Sequence, residues 1–288
     1  MEHLPRLLIK LSIAGLGLAL MPSCALSIPG DAAWSDLHAN GFAAVYPVNL
    51  DANIRDVVVN DGSGVAFQGN IDVASNRETV FFYGARGGFA PFEVIVNKFG
   101  YDGTSSGLAK GGATFLGVTL PATETLAADV NLDMSLTKLM IGIDVINTPV
   151  ARAGFLIGVD FFEFNRFSAT AAETKTILGV DVISQGDSQL FLSNESAPVP
   201  IFGARGDFQL PFGVRLGAEV TGISANVDQA DISLLDIEVN ANYEPWDNVE
   251  VVLGYRSIDM KVAGAISGTQ LDADIKLSGP FFGVSLYF

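Results

Sequence analysis

Cysteine is nearly missing from this chain: Cys24 is the only one among 288 residues, and the histidines are only His3 and His38. Disulfides and cysteine-ligated metals are therefore excluded by inventory. Basic side chains are also scarce, 16 against 32 acidic, for a net charge of −16. A surface of that sign repels a phosphate backbone, so nucleic acid is not an expected partner. Beyond the first 25 residues no apolar run approaches the ~20 residues a spanning helix needs. Yet 49% of the chain is hydrophobic. A transmembrane β-barrel reconciles these facts, because its strands expose apolar side chains to lipid only at every second position.

The N-terminal segment reads as an export signal. Arg6 and Lys10 precede a leucine-rich stretch over residues 11–21, within the ~7–15 residues of a signal core, and Ser23 and Ala25 fit the small-x-small pattern for cleavage after Ala25. Cys24 carries a rival reading, since a lone cysteine just after the apolar core is where a lipoprotein signal is cut and acylated. Three segments follow: a signal peptide over 1–25, an N-terminal extension or short plug over 26–60, and a β-barrel over 61–288.

The C-terminal third alternates with period two. Phe202, Ala204, Phe208 and Leu210 oppose Gly203, Arg205, Asp207 and Gln209; after a tight turn Val214, Leu216, Ala218 and Val220 oppose Arg215, Gly217, Glu219 and Thr221. Leu235, Ile237 and Val239, then Val249, Val251, Leu253 and Tyr255, repeat the design around a turn over 244–248. Strands are expected near 92–103, 124–147, 151–166, 198–210, 213–226, 231–244, 249–263 and 270–288. A hairpin near 64–76 and 78–87 brings eight to ten. The fold class is thus all-β, an antiparallel up-and-down transmembrane barrel of about ten strands, with eight as the alternative; either number is even, as closure requires. Short turns at 87–91, 147–149, 210–213 and 244–248 alternate with long loops at 100–112, 167–197 and 261–270. The apolar phase slips near Ser135 to Lys138 and at Gly279-Pro280, marking a bulge or the edge of the membrane zone. Phe161, Phe162, Phe164, Phe167, Tyr243, Trp246, Phe281 and Phe282 suit interfacial girdles, with a packed aromatic core as the competing reading for some.

The last eight residues end Gly283-Val284-Ser285-Leu286-Tyr287-Phe288. Gly283, Leu286 and the terminal Phe288 resemble the terminal-strand signal of Gram-negative outer-membrane barrels; Phe281 departs from it, standing where that signal usually has a polar residue. The resemblance implies insertion by the outer-membrane barrel assembly machinery, with outer-membrane lipid as surroundings. In size the chain is similar to small OmpA- or OmpW-like barrels.

The inward face of such a barrel would hold Arg86, Lys138, Arg205, Arg215 and Arg256 together with Glu93, Asp144, Asp160, Asp207, Glu219, Asp236, Glu238 and Glu250. Buried charges must be paired, and eight to ten strands leave room for little more than side chains. The expected function is a non-enzymatic barrel with a side-chain-filled lumen and a structural or surface-interaction role. Eight acids against five bases keep a narrow cation-preferring channel open as an alternative, and a soluble exported β-sandwich shares the same periodicity. Enzymatic barrels use a histidine at a strand end; His3 leaves with the signal and His38 lies outside every expected strand, a solvated loop residue. No cofactor or metal is expected. The carboxylate pairs Asp228/Asp231 and Asp272/Asp274 lack EF-hand spacing, and the glycine-rich stretch 100–107 lacks the Lys-Ser/Thr of a phosphate loop and reads as a loop between strands.

Overall fold

The computed structural model describes residues 38–59, 67–115, 118–177, 180–227, 229–266 and 269–287. The expected signal segment with Cys24, and Phe288, lie outside the described residues. The strands are β1 (His38–Val59), β2 (Phe67–Phe89), β3 (Phe92–Ala109), β4 (Thr114–Phe115), β5 (Val118–Thr119), β6 (Leu126–Asn147), β7 (Ala151–Ala171), β8 (Lys175–Ile177), β9 (Val180–Ile183), β10 (Ser188–Gln209), β11 (Val214–Val227), β12 (Gln229–Trp246), β13 (Val249–Ile266) and β14 (Thr269–Tyr287). Ten of them form one antiparallel ring in the order β1, β14, β13, β12, β11, β10, β7, β6, β3, β2, and β1 pairs with β2 to close it. Closure removes the free sheet edges that lipid would not tolerate. The short pair β4–β5 attaches to β2 through Phe67↔Phe115, and β8–β9 form a separate two-stranded sheet.

The strand number is ten, but two segments reach it by another route than the sequence suggested. Residues 38–59, placed in the extension or plug, are a wall strand: β1 pairs along nearly its whole length with both β14 and β2. Its lipid-facing run is only Ala43 and Val45 before Pro47, Asn49 and Asp51 follow on the same face, so the apolar alternation was too short to register. The expected hairpin over 64–87 is instead one strand, β2, irregular against both neighbours near residues 74–76.

The strands run to 22 or 23 residues, about twice the ~9–11 that cross a bilayer. What changes along them is which face is apolar. In β6 every second side chain from Leu126 to Asp144 points inward. The inward set begins Leu126, Val130, Leu132, Met134 and Leu136 and ends Lys138, Met140, Gly142 and Asp144. The outward set begins Asp129, Asn131, Asp133, Ser135 and Thr137 and ends with exposed Leu139, Ile141 and Ile143. The same inversion occurs in β12, where inward Ile232 and Leu234 give way to Asp236 and Glu238 while outward Ser233 gives way to Leu235 and Ile237. Near the tight turns the barrel is apolar outside and polar inside, as lipid demands; beyond that belt it is polar outside and apolar inside, like a soluble β-protein.

The phase slip at residues 135–138 is therefore the edge of the membrane zone. A bulge adjoins it on one side only: β3 and β6 stay in register from Ala109↔Leu126 to Phe92↔Ile143, while the β6–β7 pairing shifts by one residue between Asp133 and Met134. Gly279-Pro280 likewise sits in unbroken β13–β14 pairing, Arg256↔Gly279 and Tyr255↔Pro280. The inversion also corrects the long loops. Residues 100–109 continue β3 with alternating burial, β7 runs on to Ala171, β10 begins at Ser188, and β13 reaches Ile266. Once the outward face turned polar these stretches no longer read as lipid-facing strands. The aromatic residues divide in the same way: Phe161, Tyr243, Trp246 and Phe282 are exposed on the belt, while Phe162, Phe164, Phe167 and Phe281 are packed inside.

Candidate functional site

The polar half of the lumen holds the chemistry. All thirteen charged residues singled out from the sequence lie on inward-facing positions of their strands, and eight of them are joined in three groups. At the turn end, on one side, Arg215 donates to Glu250 Oε2 at 2.7 Å and the Tyr287 hydroxyl donates to the same oxygen at 2.8 Å. Arg215 also bonds the Tyr287 hydroxyl. On the other side Arg205 and Arg152 share two carboxylates. Arg205 NH2 reaches Asp144 Oδ1 at 2.9 Å and its NH1 meets Glu93; Arg152 Nε donates to Asp144 Oδ2 at 2.6 Å and its NH2 lies 3.2 Å from Glu93 Oε2.

Farther in, Asp236 is the hub. Lys138 Nζ donates to its Oδ2 at 2.6 Å and to Thr221 Oγ1 at 2.6 Å; Arg256 grips it with Nε at 3.0 Å and NH2 at 2.7 Å. The guanidinium of Arg256 also lies 4.4 Å from the Phe82 ring centre and 5.8 Å from that of Phe99, a cation–π contact strengthened by the lack of water. Tyr46 donates to the Arg256 carbonyl at 2.9 Å. Tyr46, Phe82, Phe99 and Phe281 make an aromatic floor, with Phe281 edge-on to Tyr46 and Phe82. That inward position accounts for Phe281 departing from the terminal-strand signal. Beyond this floor the apolar core of the distal half fills the interior.

A cavity of about 60 Å³ remains between the two turn-end groups, lined in part by His38, Arg86, Glu93, Asp207, Glu238 and Glu250. It has room for water only. Glu238 accepts from Asn240 Nδ2 at 3.1 Å. Glu219 stands opposite Glu238 in the β11–β12 register. Asp160, fully buried and in register with Lys138, has no hydrogen-bond partner at either carboxylate oxygen.

Sequence reading missed several members. Arg152 shares its face with Gly154, Leu156, Gly158 and Asp160, so its inward phase was readable from the alternation of β7. Adding it makes six bases against the eight acids. Thr221 had its phase in the alternation of its strand but no charge to single it out; Tyr46 and Tyr287 carried no such signal, since aromatic residues occur on either face. His38 is not a solvated loop residue: it opens β1, and its Nε2 lies 2.8 Å from Glu93 Oε1. It was misplaced because β1 itself went unrecognised. Among the described residues no group of three or more His, Cys, Asp or Glu side chains could hold a metal ion. The Gly283 and Leu286 of the terminal signal face inward and outward, respectively, on β14.

No protein-family model matches the chain, and no curated protein sequence matches it. Solved structures do. The outer membrane protease OmpT from Escherichia coli is 12% identical, with 87% of this chain and 97% of that chain covered and a TM-score of 0.52. The outer membrane protein OprG from Pseudomonas aeruginosa is 11% identical, covering 88% of this chain and 96% of that one, with a TM-score of 0.35. At such identities the likeness speaks for the fold alone, and that fold is the outer-membrane β-barrel.

Proposed function

We propose that this chain is an exported, non-enzymatic outer-membrane barrel with a closed lumen, which acts structurally or by surface contact through the part that stands outside the bilayer. One observation carries the reading: among the described residues the interior is occupied by side chains, as ion pairs around a water-sized cavity within the belt and as an apolar core beyond it. An ion crossing this path would have to pass the buried ion pairs and then an aromatic floor. A cation-preferring conduit has less support than the charge census suggested, because Arg152 supplies a sixth base and the described residues of the distal interior are mostly apolar. The exposed apolar belt argues against a soluble sandwich.

The non-catalytic part of the proposal draws on His38 being held against Glu93, a carboxylate that two arginines already engage. In this orientation the tight turns face the periplasm, and the strand extensions with β4, β5, β8 and β9 face outward from the cell. Insertion by the assembly machinery through the β14 signal belongs to the same proposal. The test is reconstitution of purified barrel into planar bilayers after fractionation of the envelope. Outer-membrane fractionation, heat-modifiable gel migration and no steady conductance are expected; steady single-channel conductance by the wild-type barrel would overturn the closed-lumen reading.

A further inference from the structure

Pairing inside the lumen leaves charge over. Of the eight inward acids, Asp160, Asp207, Glu219 and Glu238 form no ion pair among the described residues, and of the six bases only Arg86 forms none. One base does not neutralise four acids, and uncompensated charge is costly in an interior ringed by lipid. Asp207 and Glu238 line the turn-end cavity of about 60 Å³. Asn240 adjoins both, Glu238 on its own strand and Asp207 across Gly217 in the β10–β11–β12 register.

The Asn240 amide donates to Glu238 at 3.1 Å, which leaves its oxygen turned to Asp207. A Cβ on Gly217 would lie 2.5 Å from Asn240 Oδ1 and 3.0 Å from Asp207 Oδ1. The two oxygens thus lean over the same bare glycine, close enough for one ion to bridge. Among the described residues neither accepts a hydrogen bond. Turning the amide over would exchange the acids without answering both, because only one end of an amide donates. The same lack recurs on the neighbouring walls. Asn242, the next inward residue of β12, is 9% exposed with no partner at Oδ1, and Ser285 of β14 is 3% exposed with none at Oγ; both line this cavity. Its walls offer oxygens, one charged and several neutral, that no donor meets. The space admits an occupant the size of water, and a bare sodium or potassium ion is of that size.

We propose that the turn-end cavity binds one alkali-metal cation, held over Gly217 between Asp207 Oδ1 and Asn240 Oδ1, with the oxygens of Asn242 and Ser285 on the surrounding wall. One carboxylate among neutral amide and hydroxyl oxygens suits a single charge. Calcium takes ~6–8 oxygens and magnesium keeps several of its waters, for which the cavity has no room, and among the described residues no three acids converge on one point. The cation compensates carboxylates that the arginines leave over. The aromatic floor lies beyond it, so the site is a dead end and not a step in a conduction path. Binding here is a property of the charged half alone and is independent of what the distal half does at the cell surface.

The purified barrel in detergent tests this without a membrane. Its urea unfolding midpoint is measured in sodium, potassium and rubidium chloride against equal concentrations of N-methylglucamine chloride, whose cation is too large for the cavity. An ion that binds only the folded state raises stability saturably. A saturable rise with an alkali cation and none with N-methylglucamine is expected, and crystals soaked in rubidium chloride should show an anomalous peak over Gly217. Asp207→Asn, which keeps the shape, should weaken the apparent affinity about tenfold, the worth of one charged contact. Gly217→Ala, whose methyl group takes the bridging position, should abolish the cation-dependent rise, while Asp51→Asn, an exposed acid on the outer wall, should leave it unchanged. Equal stabilisation by N-methylglucamine, or an anomalous map with no peak over Gly217, overturns the proposal. So does a midpoint that ignores alkali cations but rises on mild acidification, which would mean that protons neutralise these acids.

Discussion

Lys138 of β6 and Asp236 of β12 meet at 2.6 Å across the lumen, although three wall strands, β7, β10 and β11, stand between them along the shorter arc. The interior of this ring is narrow enough for a lysine and an aspartate to join opposite walls. The same holds for Arg205, which passes over its neighbours to reach Glu93 and Asp144 on β3 and β6, and for Arg215, whose carboxylate is Glu250 on β13. Long side chains in a dry interior choose by reach across the tube, not by place along the strand.

Asp236 holds two cations that water does not reach. Asp236→Asn should lower barrel stability by about 3–5 kcal/mol, the cost of leaving buried charge uncompensated. Arg55→Ala, which removes an exposed contact with Asp272 and Asp274, should cost about 1 kcal/mol or less. Urea unfolding in detergent, followed by gel migration, compares the two. Equal effects would mean the lumen is wet.

The inversion along β6 makes two positions on one face behave oppositely. Ile141→Arg, within the belt, should cost about 2–4 kcal/mol, whereas Asp133→Arg, eight residues away and above the belt, should be nearly neutral. Leu132→Arg, inward in the distal core, should prevent folding. Similar tolerance at 133 and 141 in reconstituted barrel would place the bilayer edge elsewhere.

A glycine flanking the belt offers a further check. Gly217 looks free to become serine in sequence, but a Cβ there would press on Asn240 Oδ1 and lies 3.0 Å from Asp207 Oδ1. Gly217→Ser should therefore be measurably destabilising unless Asn240 and Asp207 swing away; Leu216→Arg on the lipid side should remain the costlier change, about 2–4 kcal/mol. Paired unfolding midpoints of the two variants decide this.

Removing Arg205 and Arg215 together separates the two halves of the lumen. Arg205→Ala with Arg215→Ala should lower the unfolding midpoint yet produce no conductance, because the aromatic floor and distal core lie beyond both groups. Conductance in bilayers from the double variant would show that the charged half alone closes the barrel.

The terminal strand is open to the same treatment. Deleting Phe288 or changing it to Asp should leave the protein misassembled and degraded before it reaches the membrane, as read by envelope fractionation and immunoblot. Normal amounts of folded barrel would end the assigned role of that residue.

Period-two alternation, the missing helix-length apolar run and the tight turns were enough for the sequence alone to determine the fold class, an even strand number of eight or ten and the inward phase of the thirteen lumen charges. These are local properties: a pleat sends alternate side chains to opposite faces whatever the neighbours are. Tertiary structure decided what depends on which solvent lies on each side. Residues 100–109 and 188–197 are strand in water and looked like loop, because alternation that inverts at the bilayer edge resembles alternation that stops. β1 entered the ring because Tyr46, Val48 and Leu50 find the interior, not because its outer face is apolar. Charge partners were decided by the diameter of the tube, and the gap in pairing between β2 and β3, from Val73↔Gly107 to Phe82↔Phe99, by a register break that two separate strand sequences do not record. Pairing across a closed ring is a property of the whole chain, so no single segment could announce it.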